Sequence, residues 1–212
     1  RLYHPHVGGV EKHLEILSEE LIARGYKVTV ITEKFSPNLL DKEVLKNVTV
    51  FRVPVGSSQF LKKFFIWFWV LRNIRLIQST DIIHIHDVFF WILPVLPFLN
   101  RGKLFTTFHG YEGYPIKKRW ILQRKVTEKL SNGTICIGDF MKKWYKARPE
   151  LVSYGAVRLK TKNASQISQT AVFFGRLDPQ TGIHEYIRAY KNIKKKFPKF
   201  KLTVVGEGEL AN

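Results

Sequence analysis

The sequence predicts an α/β protein: a mostly parallel, doubly wound sheet with helices on both faces, followed by the first βαβ unit of a second lobe of the same kind. Three observations point there. Short β-branched runs alternate with helix-like runs from residue 10 to residue 155, the order that parallel strands joined by crossover helices require. A polar stretch without periodicity, 156–169, then interrupts the alternation. A fresh strand–helix–strand unit starts at residue 170, too small to close a domain by itself. The expected organisation is therefore a first domain over 1–155, a linker over 156–169, and the start of a second domain over 170–212.

The elements follow in order. Residues 10–24 put Val10, Leu14, Leu17 and Leu21 on one helical face, and Gly25 ends the run as a C-terminal glycine does. Strands are expected at 26–32 and 48–54, the second stopped by Pro54. A long aromatic and basic helix is expected over 59–78. Then come a strand at 81–86, a helix near 89–99, a strand at 103–109, a helix near 117–131, a strand at 133–138, a short helix near 139–146 and a short strand at 151–155. The second lobe reads as strand 170–175, helix 182–197 and strand 200–205.

Composition bounds the possibilities. Apolar residues make up 45% of the chain, enough for a core, and charged residues 25%. The 35 Lys and Arg against 17 Asp and Glu give a net charge of +18, which favours anionic partners without choosing among them. The single cysteine, Cys136, excludes an internal disulfide and reads as a small buried hydrophobe in a reducing compartment. The sequons at Asn47, Asn132 and Asn163 read as chance matches. The apolar runs 64–71 and 88–99 fall well short of the about 20 residues a spanning helix needs. Both ends look cut, so the sequence reads as a piece of a longer protein.

In an open parallel sheet ligands bind beyond the carboxyl ends of the strands, and the residues at those ends can be read off. Gly8 and Gly9 precede the first helix, where free N–H groups and the helix dipole favour an anion; the plainer reading is a tight turn. Gly175 and Arg176 follow a strand, with Asp178 and Pro179 as N-cap and first helical residue. Arg176 can fork onto a diphosphate, or pair on the surface with Asp178 or Glu185. His109 ends a strand, where it can donate a hydrogen bond, shuttle a proton or be structural. His84 and His86 share one strand face beside Asp87, but no third ligand is evident, so no metal is expected. The 59–78 helix, with Phe64, Phe65, Trp67, Phe68 and Trp69 among Lys62, Lys63, Arg72 and Arg75, reads either as a core helix with snorkelling ends or as one lying on an anionic membrane.

With PHVGGVEKH, DIIHIHD, TTFHG and FFGRLDPQTG in that order, and VVGEGEL after them, the chain resembles glycosyltransferase family 4, the retaining enzymes of the GT-B fold. The resemblance covers nearly the whole chain. It implies two Rossmann-like domains facing across a cleft, the first handling the acceptor and the second a nucleotide-diphosphate sugar, with retention of configuration and no metal or other cofactor. It implies His109 and Arg176 as catalytic residues; Gly8, Gly9, Gly175, Arg176, Thr181, Gly206 and Gly208 on the donor side; and His86, Asp87 and Glu112 on the acceptor side. The acceptor would be a glycan, a lipid-linked glycan or a small molecule, and the protein cytoplasmic or peripheral on the inner face of a membrane. Two departures stand out. Thr181 occupies the family's usual lysine position, and the family's later Glu-x7-Glu motif and its opening strand are absent, so this piece is not expected to turn over by itself.

Other readings are less well supported. A nicotinamide oxidoreductase needs G-x-G-x-x-G after a strand, and Gly206 and Gly208 are followed by Leu210 and Ala211. A nucleic-acid-binding module has the charge but no recognisable motif. A non-catalytic protein of the membrane surface would use the 59–78 helix alone.

Overall fold

A computed structural model of the chain describes residues 2–56, 58, 60–110, 115–154 and 168–211. The chain divides into two units, Arg1–Arg158 and Leu159–Asn212. Residues 156–167 of the expected linker, and Glu112, lie outside the described residues.

The first unit opens with α1 (Gly9–Ala23). Its end is fixed by Gly25 at φ 86°, with Tyr26 N–H donating to the Leu21 carbonyl and Gly25 N–H to that of Ile22. This paired closure suits a left-handed glycine. Strands β1 (Thr29–Lys34), β2 (Lys42–Leu45) and β3 (Val48–Pro54) form one sheet in the order β1-β3-β2. β1 runs parallel to β3, whereas β2 is antiparallel to it. The antiparallel β2 was not expected from the sequence. It is turned by Lys46 and Asn47 at φ 48° and 67°, the double left-handed step of a two-residue hairpin.

The expected 59–78 helix is two helices, α2 (Lys62–Arg72) and α3 (Ile74–Gln78), separated at Asn73. The Asn73 amide donates to the Trp69 carbonyl at 2.8 Å, so the side chain competes with the helix's own backbone bonding. The expected helix at 89–99 is not an α-helix. Pro94 and Pro97 each remove a donor, and the segment folds as 3-10 turns Phe89–Ile92 and Leu96–Phe98. These turns and the inner face of α2 enclose the main core, in which Ile66, Val70, Val95 and Leu104 are sealed from solvent. Each such side chain stabilises the fold by about 1.5–3 kcal/mol relative to exposure.

A second, fully parallel sheet follows, β4 (Ile83–His86), β5 (Leu104–Phe108), β6 (Gly133–Cys136) and β7 (Leu151–Val152), in that order. Helix α4 (Lys118–Leu130) joins β5 to β6, and α5 (Phe140–Tyr145) joins β6 to β7. Cys136 is fully buried, and burial pushes its thiol up to about 11. It is an inert core group at neutral pH.

The second unit contains β8 (Thr170–Phe174), a 3-10 turn Pro179–Thr181, α6 (Ile183–Lys196) and β9 (Lys201–Val205), with β8 and β9 parallel. The architecture is α/β and Rossmann-like, as the alternation of elements predicts. Among the described residues no helix is long and apolar enough to cross a membrane.

Candidate functional site

The parallel register of β4 and β5 creates the site. His86 pairs with Thr107 near the strand ends, so Asp87 and His109, each the first residue past its strand, emerge together at the carboxyl edge. His86 Nδ1 lies 2.8 Å from His109 Nε2. The Asp87 carboxylate accepts the His109 backbone N–H at 3.0 Å. Asp87 reaches it from a left-handed backbone, φ 63°, which is uncommon outside glycine and favoured by aspartate's short polar side chain. His84, two residues back on the same face, stacks on His86 with ring centroids 4.2 Å apart and bonds Thr107 Oγ1 at 2.8 Å.

A fourth imidazole comes from α1. The His13 ring lies edge-on to His109 at 5.4 Å and to His86 at 6.2 Å. His13 is one turn into the helix that Gly9 begins, so the start of α1 and the tips of β4 and β5 occupy one end of the first unit. The sequence reading missed His13; its signal was a histidine one turn into a glycine-led helix start. The third and fourth imidazoles do not make a metal centre. Among the described residues no group of three or more His, Cys, Asp or Glu is arranged to hold a metal ion.

His84, His86 and His109 are uncharged at neutral pH. Burial first, and the neighbouring imidazoles second, push His86 down to about 2 and His109 to about 4. His84 is likewise held at about 4, mainly by the atoms crowded around it. A charged imidazole here would lose hydration and face like charges.

Arg124 of α4, also missed, braces the tip from beneath. The residue is 3% exposed, and its guanidinium donates to the Gly110 carbonyl at 2.6 Å and lies 4.6 Å from the Phe108 ring centre and 4.1 Å from that of Tyr145. Nothing in the local sequence of α4 separates it from the surface lysines around it.

The glycines divide by role. Gly9 would meet nothing if it carried a Cβ; Gly8 has an ordinary extended φ of −163°, and a Cβ there would meet only the Glu11 carboxylate, the movable end of a side chain, so neither is demanded by the fold. The Glu11 carboxylate, 3.2 Å from His6 Nδ1, lies beside Gly8 at the helix start. In the second unit Gly206 (φ 156°) would drive a Cβ to 1.8 Å from the Gly175 carbonyl oxygen, and Gly208 (φ 157°) to 2.6 Å from that of Leu177. Close passage of the two strand ends therefore explains Gly206 and Gly208 without a ligand. Arg176 is 78% exposed on its side chain and 3.2 Å from Asp178, the surface pairing weighed from the sequence. Thr181 donates its hydroxyl to the Asp178 carbonyl at 2.7 Å. Asp178 makes no side-chain cap bond to the turn it starts.

A family model described as Glycosyltransferase Family 4 matches residues 7–150. The phosphatidylinositol N-acetylglucosaminyltransferase gpi3 subunit of Schizosaccharomyces pombe is 26% identical, over 97% of this chain and 49% of its own. The GPI3 subunit of Saccharomyces cerevisiae is 30% identical over 40% of this chain and 19% of its own. An uncharacterized glycosyltransferase of Methanocaldococcus jannaschii is 24% identical, over 99% of this chain and 59% of its own. The chain thus spans about half the length of the relatives that it matches throughout.

Proposed function

Since this chain belongs to Glycosyltransferase Family 4, we propose that it forms part of an enzyme transferring a sugar from a nucleotide diphosphate to an acceptor hydroxyl with retention. The observation that carries the reading is the neutral imidazole group of His86 and His109 at the carboxyl ends of β4 and β5, beside His13 of α1. Carbohydrate hydroxyls need hydrogen-bonding partners at fixed positions, and His109 supplies one. In the transfer the bond from the anomeric carbon to the diphosphate oxygen breaks and the acceptor oxygen bonds the same face. The acceptor's proton leaves with the diphosphate.

Arg176 of the second unit is the cation for that departing diphosphate, aided by the N-terminus of α6. With Thr181 in the family's lysine position and its hydroxyl turned to Asp178, the arginine carries more of the task. No metal or other cofactor takes part. The names of the relatives make N-acetylglucosamine the first sugar to test and an inositol phospholipid the first acceptor.

A lipid acceptor requires a membrane, and α2 suits one. Phe60, Phe64 and Phe68 are 73%, 47% and 65% exposed along one stripe, with Lys63 lying over the Phe60 and Phe64 rings. Residues 56–80 hold Lys62, Lys63, Arg72 and Arg75 and no acidic residue. Aromatic and basic groups together favour an anionic interface, each exposed cation adding about 1 kcal/mol. The protein would then act peripherally on the cytoplasmic leaflet, the anionic one.

A panel of nucleotide-diphosphate sugars tests the reading by thermal stabilisation, since a ligand of the folded state raises the melting point by mass action. In the intact protein Arg176→Ala should lower transfer at least about tenfold, or about 1.4 kcal/mol of barrier. Unchanged turnover would remove Arg176 from the reaction.

A further inference from the structure

Strand β4 ends abruptly, and the way it ends bears on His109. In a parallel pair, a residue set opposite position j of its neighbour donates its N–H to the carbonyl before j and accepts with its carbonyl from the N–H after j. The pairing of His86 with Thr107 sets Asp87 opposite Phe108. The first of its two rungs is present: Asp87 N–H donates to the Thr107 carbonyl at 3.0 Å. The second would run from His109 N–H to the Asp87 carbonyl. That N–H donates instead to the Asp87 carboxylate, Oδ1, at 3.0 Å. The side chain takes the place of its own main-chain carbonyl.

The backbone explains the exchange. Val88 N–H donates to the His86 carbonyl at 2.9 Å, which makes a three-residue turn centred on Asp87, whose φ is 63°. This is the rare hand of such a turn, strained for a residue with a Cβ. The left-handed step swings the Asp87 carbonyl off the line of the ladder. β4 thus leaves the sheet just past His86, while β5 stays paired for one rung more. On its other edge β5 is held by β6, with Ile137 N–H donating to the Phe108 carbonyl at 3.0 Å. The Phe108–His109 peptide group is therefore tied at both polar ends, its carbonyl by main chain and its N–H by a side chain.

We propose that Asp87 is a positioning residue for His109: its carboxylate supplies the last rung of the β4–β5 ladder and so fixes the peptide from which the His109 ring rises. This is a role through His109, distinct from the direct acceptor contact that the family resemblance implies. Its value to sugar transfer rests on the function proposed above; the rung itself does not. Aspartate meets both demands of the place. Short polar side chains tolerate a left-handed backbone better than others, and a carboxylate is a stronger acceptor than a carbonyl. Asparagine meets the same two demands with a neutral oxygen, whereas glycine suits the backbone and supplies no acceptor.

The test is nitrogen-15 to carbon-13 coupling through the hydrogen bond, measured on this chain. The His109 amide should correlate with Asp87 Cγ and not with the Asp87 main-chain carbonyl carbon. A correlation with the main-chain carbonyl, or a His109 amide that exchanges as fast as an unprotected one, overturns the proposal, and neither result needs a variant to fold. In Asp87→Gly the His109 amide should exchange at least about tenfold faster while the Thr107 amide, one rung back, stays protected. Asp87→Asn should hold His109 exchange within about threefold of the unsubstituted chain. Equal loss of protection at Thr107 and His109 in Asp87→Gly would mean that β4 has come away as a whole, and overturns the proposal. In the intact protein Asp87→Gly should lower kcat for transfer at least about tenfold with the donor KM within about twofold, and Asp87→Asn should restore most of kcat. An Asp87→Asn protein with a protected His109 amide and no transfer overturns the positioning role in favour of direct contact with substrate. An intact, unsubstituted protein that transfers no sugar removes the proposed function and leaves the amide result standing.

Discussion

Acidification should unfold the first unit from the imidazole cluster outward, well above the pH at which its carboxylates matter. In the unfolded chain a histidine titrates near 6.5; in the fold His109 is held at about 4 and His86 at about 2. Below the unfolded value the unfolded state binds protons that the folded state refuses, so stability is full above pH 6.5 and falls as the pH drops toward the folded values. Each withheld proton gives a slope of about 1.4 kcal/mol per pH unit. Between pH 6.5 and 5 that is about 2 kcal/mol for one imidazole at full strength. Both rings are half-buried, so solvent screening reduces the pair to about 2 kcal/mol together. Glu15, which Lys12 and Lys46 hold down at about 2, loses its contribution only below its unfolded value near 4.5, outside the window. The assay is urea unfolding followed by tryptophan fluorescence at pH 7, 6 and 5. Trp67, Trp69, Trp91, Trp120 and Trp144 all lie in the first unit, so the signal reports that unit alone. A stability that stays level from pH 7 to 5, or a slope that persists undiminished in the His86→Phe, His109→Phe double variant, would refute the reasoning.

Three further outcomes are expected. Arg124→Met should destabilise the first unit by about 1–3 kcal/mol, the range for a charge-assisted bond to a buried carbonyl, and Arg124→Lys should recover little, because lysine lacks the planar fork that stacks between Phe108 and Tyr145; urea unfolding reads both. Replacing Phe64 and Phe68 together by Glu should cut binding to phosphatidylserine-containing vesicles at least about tenfold with no change in melting point, since both side chains are exposed; flotation reads the binding. Gly206→Ala should break the β8–β9 pairing, because the added methyl meets the Gly175 carbonyl oxygen at 1.8 Å, and the bond from Gly175 N–H to the Val205 carbonyl should lose its protection from hydrogen exchange.

Most of this architecture was legible because its elements carry their own periodicity. α1, α4, α6, β3 and the β8–α6–β9 succession follow from apolar spacing and glycine stops, with boundaries displaced by a residue or a few. What was not legible depended on competition or on distance. At 89–99 the apolar pattern is helical, but Pro94 and Pro97 outweigh it. Asn73 breaks an otherwise continuous helix by bonding back onto Trp69. β2 is four residues long and owes its place to the Lys46–Asn47 turn more than to its own sequence. In the site, the strand-end rule located His86, Asp87 and His109, since a parallel register brings such residues together automatically. His13 and Arg124 approach from helices. Their contribution is set by how α1 and α4 pack, which no local pattern records.

The charge of the molecule and the chemistry of its site are separate matters. A net charge of +18 suggests a binding surface made of cations, yet the polar centre of the first unit is a set of imidazoles kept neutral by their own crowding. Lys63 of α2 and the lysines of α4 and α5 stand on outer helix surfaces, where they attract an anionic partner over a Debye length without dictating its orientation. Neutral donors at strand tips do the opposite. They add little to long-range attraction, but each engages a single oxygen in one geometry. A protein that must gather a polyanion and then present one hydroxyl correctly needs both, and needs them apart.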